Sequence, residues 1–397
     1  MTGVRVRREP FGAIVYIPRR DHFFALDRRH TDLLLGTRRP GGPEDLERLR
    51  RLGNLDTRPR AVDGRSLLGD FTGLPVSGRP LVVNCFATAH CPLRCTYCHA
   101  DDLMTGYRDG EDEARLREVI RVAAATPAMV GVVTGGEPLA RPDRAERLIA
   151  ALAEDKAVVL DTSGVGDFAR LIKILLRYGV HVRVSMDSAD AAVNDALRPI
   201  NRRYLPLGSS AHAHARDTVR RAVGAGLACS VQTVVTTRNG SLEALSRFRD
   251  ALVDLGVTTW ALHVVVPAGK AAQPSRSRLL SGPDTQAILA ELVRRSAAED
   301  VPIDIRVTST HRAPNSTLLI SAKGELSVEN RHGGEKTVMA VPRFGARRSI
   351  LRRFRAHVDL EGHASRYLNG TLEPSATEPA TEAVTAAEAT PQRIGVR

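Results

Sequence analysis

Apolar residues between positions 81 and 300 fall into short continuous runs that alternate with longer amphipathic segments. Continuous apolar runs predict buried strands, and apolar residues repeated every three or four positions predict helices. Six such pairs predict an α/β fold with a parallel sheet, closed or partly closed as a partial (β/α)6 TIM-type barrel. The predicted strands are Leu81–Phe86, Met129–Thr134, Ala157–Asp161, Val180–Met186, Cys229–Thr236 and Thr258–Val266, and the predicted helices are Glu111–Ala124, Arg141–Ala153, Asp167–Tyr178, Ala211–Ala225, Leu242–Leu255 and Ser281–Glu299.

Different patterns flank these repeats. Residues 1–60 contain three short alternating segments, 4–7, 13–17 and 23–26, and two helical ones, 31–35 and 43–52, which predict a small winged-helix-like α+β domain. We expect residues 61–80 to be a linker, residues 81–300 to be the barrel and residues 301–370 to be a C-terminal extension containing a hairpin. Residues 371–397 are dominated by Ala, Thr, Glu and Pro without an apolar period, so we expect them to be disordered.

Composition and net charge narrow the cellular location and the binding partners that we expect for this chain. None of its 397 residues belongs to a run of about 20 apolar residues, and the N-terminus has no signal-peptide core, so we expect a cytoplasmic protein without a membrane span. The net charge of +12 is carried almost wholly by arginine, and residues 1–60 alone carry +6. An acidic peptide, a phosphorylated molecule or nucleic acid would be attracted to these arginines, but the simpler interpretation of the charge is a solvated arginine-rich surface.

Three of the five cysteines lie within eight residues, directly after the first predicted barrel strand. Cys91, Cys95 and Cys98 form a C-x3-C-x2-C motif whose thiolates can hold three irons of a 4Fe–4S cluster and leave the fourth iron open. A structural zinc site is the alternative, but it requires four ligands and there is no second cysteine pair. Because no cysteine follows Cys229, we expect one cluster only.

This motif at the end of a first barrel strand resembles the radical S-adenosylmethionine (SAM) superfamily, and the resemblance covers most of residues 81–270. It implies that SAM binds the open iron, that the reduced cluster cleaves SAM to a 5′-deoxyadenosyl radical, and that this radical abstracts hydrogen from a substrate. It also implies an electron donor such as ferredoxin or flavodoxin.

The same resemblance assigns SAM contacts to residues near the strand ends. Gly135, Gly136 and Glu137 match the segment that contacts the SAM amino group, and Thr162 with Ser163 matches a small polar turn near its carboxylate. Arg198 matches an arginine that pairs with the carboxylate in many relatives. The remaining predicted contacts are Ser185 and Asp187 to the ribose, and Tyr97, Thr233, Val235 and Pro267 on the adenine side. The motifs identify no catalytic acid or radical-quenching residue.

Residues 1–60 look like the small winged-helix units that bind leader peptides in ribosomal-peptide biosynthesis, which resemble the pyrroloquinoline-quinone (PQQ) chaperone. Such units add an extended peptide to a strand edge, and a charge of +6 favours an acidic leader. A structural cap on the barrel remains the alternative for these residues.

Three functions therefore stay open. The first is a radical SAM enzyme that matures a ribosomally made precursor peptide, and the second is the same chemistry on a sugar, nucleoside or cofactor precursor. The third is a non-catalytic iron–sulfur regulator that binds nucleic acid, which we expect least because it leaves the strand-end residues unexplained.

Overall fold

The computed structural model describes residues 4–45, 47, 77–100, 113–265, 269–272, 284–308, 317–329 and 336–360. Several predictions lie wholly or largely outside these residues. They are the second half of the predicted helix 43–52, most of the linker 61–80, the adenine contact Pro267 and the tail 371–397. Among the helices in the described ranges, none has the length and apolarity needed to cross a bilayer.

The N-terminal residues form a three-stranded antiparallel sheet, as predicted. Its strands are β1 (Arg5–Glu9), β2 (Gly12–Ile17) and β3 (His22–Asp27), with β2 in the centre. Helix α1 (Arg28–Leu34) follows directly, and the Asp27 side chain caps it by accepting a hydrogen bond from the His30 amide. This capping fits the preference for aspartate at helix N-termini.

The main sheet has ten strands in the order β10-β9-β8-β7-β6-β5-β4-β11-β12-β13. Strands β4 to β10 are parallel and adjacent in chain order, which confirms the predicted α/β class and partial barrel. Strand β11 pairs parallel with β4, and β12 and β13 continue that edge as an antiparallel meander. The bounds are β4 Val82–Thr88, β5 Val130–Gly135, β6 Ala157–Thr162, β7 His181–Ser185, β8 Cys229–Val235, β9 Thr259–Val264, β10 Asp304–Thr308, β11 Thr317–Ile320, β12 Leu326–Glu329 and β13 Lys336–Met339.

Helices connect the parallel strands, and those predicted match the structure to within a few residues at either end. They are α2 Glu113–Ala125, α3 Pro142–Ala153, α4 Phe168–Tyr178, α6 Ala211–Gly224, α7 Leu242–Asp254 and α8 Asp284–Ala298. Two described helices were not predicted, α5 (Ala191–Leu197) and α9 (Ala346–His357). Helix α5 has only two turns, and α9 buries only Ile350 and Phe354, so neither shows a sustained apolar period.

Successive residues of each parallel strand face opposite sides of the sheet. One side packs against the helices, with Val158, Leu160, Val182 and Val184 in the main core. We call the opposite side the inner face, because its residues line the concave side of the partial barrel.

The N-terminal sheet covers the inner face at the start of the parallel strands. Ile14, Tyr16 and Phe23 pack against Val130 and Val159. The turn between β2 and β3, residues 18–21, which we call the plug turn, reaches further along this face. At Asp21 the backbone is left-handed, with φ of +48°, a value that is uncommon outside glycine and that aspartate adopts more readily than most residues.

Candidate functional site

The cysteine loop follows β4 and is held by backbone hydrogen bonds from two sides. On one side the Glu137 amide donates to the His90 carbonyl at 2.7 Å, and the Gly136 amide donates to that of Thr88 at 2.8 Å. On the other side Arg94 and Thr96 donate to Pro199 and Leu197 at 2.8 and 2.9 Å. The loop that carries the three thiols is therefore fixed by the ends of β5 and α5.

Two glycines at the end of β5 are required by this close approach. A Cβ atom on Gly136 would lie 2.0 Å from the His90 carbonyl oxygen, and one on Gly135 would lie 2.3 Å from that of Thr88. Gly135 also has φ of +137°. Both positions exclude any side chain because the cysteine loop passes directly over them.

The three thiols form an electrostatically coupled group. Burial raises the pKa of Cys91 well above its usual value, and nearby Cys95, Glu137 and Cys98 raise it further. Burial also raises the pKa of Cys95, against the opposing effect of Arg198. Bound metal reverses this situation, because a coordinated thiol loses its proton.

This donor set fits a 4Fe–4S cluster held by Cys91, Cys95 and Cys98. Within the described ranges, no three Cys, His, Asp or Glu side chains converge closely enough to hold a single metal ion. A cluster attaches each cysteine to a different iron, so its ligands need not converge on one point.

Glu137 joins the ends of β5 and β6 through a fully buried carboxylate. It accepts hydrogen bonds from the Leu139 amide at 2.9 Å, from Thr162 Oγ1 at 2.5 Å and from the Ser163 amide at 2.6 Å, as well as from the Ser163 hydroxyl. Burial raises the pKa of Glu137, while these donors favour the ionised form. Three predicted SAM contacts are thus bonded to one another, and Glu137 positions the two strand ends.

Asp187, after β7, is the centre of a second buried network. Its carboxylate accepts from Arg198 Nε at 2.7 Å and Nη2 at 3.2 Å, from the Val234 amide at 2.9 Å, and from the Tyr97 hydroxyl. The Arg198 guanidinium also stacks over the Tyr97 ring, 5.5 Å from its centroid. Three predicted site residues therefore converge beside Cys95 and Cys98, and Asp187 connects the cysteine loop to β8.

Two asparagines complete this network. Sequence reasoning gave Asn194 no role and placed Asn239 among the positions that line the adenine side in relatives. Asn194 Oδ1 accepts from the Asp187 amide at 2.9 Å, and Asn239 Nδ2 donates to the Asp187 carbonyl at 2.8 Å. Asn194 lies on the unpredicted helix α5. Asn239 follows the predicted fifth barrel strand, and its position there was the only signal in the sequence.

The structure separates the other predicted contacts by face. Ser185 lies on the inner face at the end of β7, in register with Gln232. Thr233 and Val235 lie on the helix-facing side, where the Thr233 hydroxyl donates to the Met186 carbonyl at 2.6 Å and accepts from Trp260 Nε1 at 2.8 Å. Their contact with SAM stays a prediction.

Residues 86–267 match the family model described as the radical SAM superfamily. These residues contain the cysteine loop and both buried networks. This match to the radical SAM superfamily spans slightly less than half of the chain. The superfamily implies a 4Fe–4S cluster and SAM as cofactors.

Sequence relatives include two proteins named PqqA peptide cyclase. The one from Streptomyces rochei is 29% identical over 239 residues, which are 55% of this chain and 62% of the relative. The one from Methylobacterium nodulans is 30% identical over 196 residues, 48% of this chain and 47% of the relative. The chain thus matches less than two thirds of either relative's length.

Solved structures show the same fold at low sequence identity. SuiB of Streptococcus suis bound to S-adenosylmethionine has a TM-score of 0.58 and 14% identity, covering 92% of this chain and 89% of SuiB. Native anSMEcpe with bound AdoMet and Kp18Cys peptide has a TM-score of 0.55 and 12% identity, covering 71% of this chain and 84% of anSMEcpe. At these identities the likeness concerns the fold.

Proposed function

We propose that this radical SAM chain modifies a ribosomally made precursor peptide. The observation that carries the proposal is the cysteine loop, held between the Glu137 and Asp187 networks, in a chain that also has an N-terminal sheet of the predicted kind. The name PqqA peptide cyclase on its relatives supports a peptide substrate. The crystal structure of SuiB bound to precursor peptide SuiA, which has the same fold, supports a peptide substrate as well.

When bound, the cluster and SAM supply the radical chemistry. The chain supplies position and enclosure. Asp187 holds Tyr97 and Arg198 beside the cysteine loop, and Glu137 fixes the ends of β5 and β6. The N-terminal sheet covers the start of the inner face and so shields that side from water. Ser185 lies on the inner face, where a bound SAM molecule or substrate would meet it.

We further propose a single cluster. Cys85 and Cys229 lie in the helix-facing core, and burial raises the pKa of each thiol to about 12. Neutral buried thiols of this kind pack as small apolar groups. Anaerobic reconstitution should therefore load close to four irons per chain, and a value near eight would contradict a single cluster.

The activity is tested by measuring 5′-deoxyadenosine after anaerobic reconstitution, reduction and addition of SAM. The intact chain should form it, and Cys95→Ala should not. A loaded cluster that cleaves no SAM with any candidate substrate would favour the regulator reading instead.

The substrate class is tested by hydrogen exchange with candidate precursor peptides. A peptide substrate should protect the amides of β1–β3 in addition to those near the inner face, because a strand added to a sheet edge pairs with its backbone groups. Turnover of a sugar or nucleoside, without any protection of β1–β3 by peptides, would favour the small-molecule reading. An electron donor such as ferredoxin or flavodoxin belongs to the same proposal.

A further inference from the structure

The segment between α5 and α6 lies against the cysteine loop and is exposed on its other side. We call residues 199–210 the cover segment. Backbone hydrogen bonds fix it in place, since the Pro199 carbonyl accepts from the Arg94 amide at 2.8 Å and the Asn201 amide donates to the Pro92 carbonyl at 2.7 Å. The position of the cover segment is therefore set by the same loop that carries the three thiols.

The cover segment also packs close to one of the three thiols. Cys91 belongs to a small apolar group with Leu93, and Ile200 and Leu205 of the cover segment pack against that group. Ile200 and Leu205 are themselves partly exposed to solvent. The cover segment thus provides a short path from the surface of the protein to a ligand of the cluster.

The exposed side of the cover segment is cationic, with one large apolar side chain. Residues 199–216 include three arginines and two histidines and no acidic residue. Arg202 and Arg203 are exposed, and neither forms an ion pair with a carboxylate in the described ranges. Leu207 is 84% exposed, and among the large apolar side chains that the structure describes only Phe344 is more exposed. Arginines around an apolar contact are typical of protein interfaces.

A further exposed cation belongs to the cysteine loop itself. Arg94 Nη1 donates to the backbone carbonyls of Cys91 at 2.9 Å and of Leu93 at 2.7 Å. The charge of Arg94 is therefore held beside a cluster ligand and next to the cover segment. An anionic protein that approached this surface would be attracted by Arg94 as well as by the arginines of the cover segment.

The location of this surface distinguishes it from the other arginine-rich surface of the protein. Helix α9 carries the exposed residues Arg347, Arg348 and Arg352. It packs against α2 and β13, and β13 lies three strands away from β4, the strand that leads into the cysteine loop. A protein that delivers electrons must dock close to the cluster, because the rate of electron transfer falls steeply with distance. The cover segment meets this requirement.

We propose that the cover segment, together with Arg94, is the docking surface for an acidic one-electron carrier protein. The inference rests on the proposed function, because radical SAM chemistry requires a reduced cluster. The docked carrier delivers one electron to the cluster and is itself oxidised by one electron. Carboxylates of the carrier pair with Arg202 and Arg203, and Leu207 is buried at the contact.

The first test measures binding without turnover. The reconstituted full chain should bind an oxidised acidic ferredoxin, and the affinity should fall as the salt concentration rises, because exposed ion pairs are screened. Arg202→Gln and Arg203→Gln together should weaken this binding by at least about fivefold, as expected for the loss of two exposed ion pairs. Leu207→Ser should weaken it by a similar factor even at high salt, because the contribution of this side chain is apolar.

A matched control removes two charges from the other surface. Arg347 and Arg348 on α9 are exposed, as Arg202 and Arg203 are. Arg347→Gln and Arg348→Gln together lower the net charge of the chain by the same amount, and they should change the affinity for ferredoxin by less than about twofold, since distant charges are screened. The comparison therefore separates docking at the cover segment from the effect of net charge.

The second test compares two ways of reducing the cluster. When ferredoxin is kept reduced by ferredoxin–NADP+ reductase and NADPH, the variant without Arg202 and Arg203 should form 5′-deoxyadenosine more slowly than the unchanged chain. Dithionite is a small reductant that needs no docking surface, so with dithionite the two proteins should form it equally fast. If the unchanged chain forms none with dithionite, the proposed function fails, while the binding comparison still decides whether the carrier docks here.

Three results would overturn the docking surface. They are equal ferredoxin binding by the variant without Arg202 and Arg203, an equal loss of binding in the α9 control, and salt-sensitive binding of duplex DNA by the unchanged chain in place of ferredoxin. In each case, formation of 5′-deoxyadenosine with dithionite would leave the proposed function standing.

Discussion

Replacing Asp187 by asparagine should be the most damaging isosteric change near the cysteine loop. Asparagine keeps the size of the side chain but removes the negative charge that faces Arg198. Arg198 is 7% exposed, and its guanidinium donates two hydrogen bonds to this carboxylate. Without it, a buried cation loses its counter-ion, while the Tyr97 hydroxyl and the Val234 amide retain only a neutral acceptor.

The magnitude follows from that burial. Removing one partner of a buried ion pair costs about 3–5 kcal/mol of unfolding free energy, because the remaining charge stays desolvated. Removing both charges, with Asp187→Asn and Arg198→Met together, avoids the unpaired charge and should cost less than the sum of the single changes. We expect a coupling energy of about 2 kcal/mol or more.

These changes form a double-mutant cycle. Urea unfolding before cluster reconstitution gives the unfolding free energies of the unchanged chain, the two single variants and the double variant. Glu243→Gln is the control, because its ion pair with Arg247 on α7 is exposed at both ends and should contribute less than about 1 kcal/mol. A loss below about 1 kcal/mol for Asp187→Asn, or single changes that add within about 0.5 kcal/mol, would refute the reasoning.

Three further predictions concern the same framework. Gly136→Ala should lower the iron content after reconstitution, because its Cβ would meet a carbonyl oxygen at 2.0 Å, whereas Gly224→Ala, with open space around its Cβ, should load normally. Glu137→Gln should lose about 1.5–3 kcal/mol in urea unfolding, since an amide cannot accept from all the donors that now surround the carboxylate; unchanged stability would contradict this. Burial lowers the pKa of His181 from 6.5 to about 4, so below pH 6.5 the unfolded chain binds a proton that the folded chain excludes, and stability should fall by about 3 kcal/mol between pH 6.5 and 4. His181→Gln should flatten the dependence of stability on pH between 6.5 and 4. The charges of Asp21, Arg183 and Arg306 also act on the pKa of this ring. An unchanged slope in the variant would contradict the assignment of this pH dependence to His181.

The strand-and-helix repeat was predictable because each element carries its own period. Val158 and Leu160 face the helices, and their alternate neighbours face inward, so even the sheet faces follow from the sequence once the strands are known. The cysteine motif was equally local, since three ligands within eight residues need no tertiary information.

Long-range features were not accessible in this way. Strand β10 (Asp304–Thr308) carries charges at Asp304 and Arg306 because these side chains pair with each other, and Arg306 also reaches the Asp21 carbonyl, 285 residues away. A charged strand of this kind lacks the apolar run by which strands are recognised. The C-terminal extension likewise joins the main sheet through β11, which pairs with β4 in a register that no local pattern specifies.

The hydrogen bonds that the site residues make with one another could not be predicted either, because they depend on the fold. Matching family motifs assigned Glu137 and Asp187 to SAM, but it could not show that both carboxylates are already surrounded by donors from neighbouring strands. The short helix α5 brings Asn194 and Arg198 to Asp187, and its two turns were too brief to stand out.

The plug turn limits how freely the N-terminal sheet of this chain could be exchanged for another. Asp21, Pro18 and the aromatic ring of Tyr16 are bonded or packed against side chains of β6, β7 and β10, so the N-terminal sheet and the barrel share one interior. A chimera that replaces the first 27 residues would expose Arg183 and His181 unless the new unit supplied an equivalent acidic turn. A replacement of the N-terminal sheet on this barrel would therefore have to preserve the plug turn and alter only the outer strand edges.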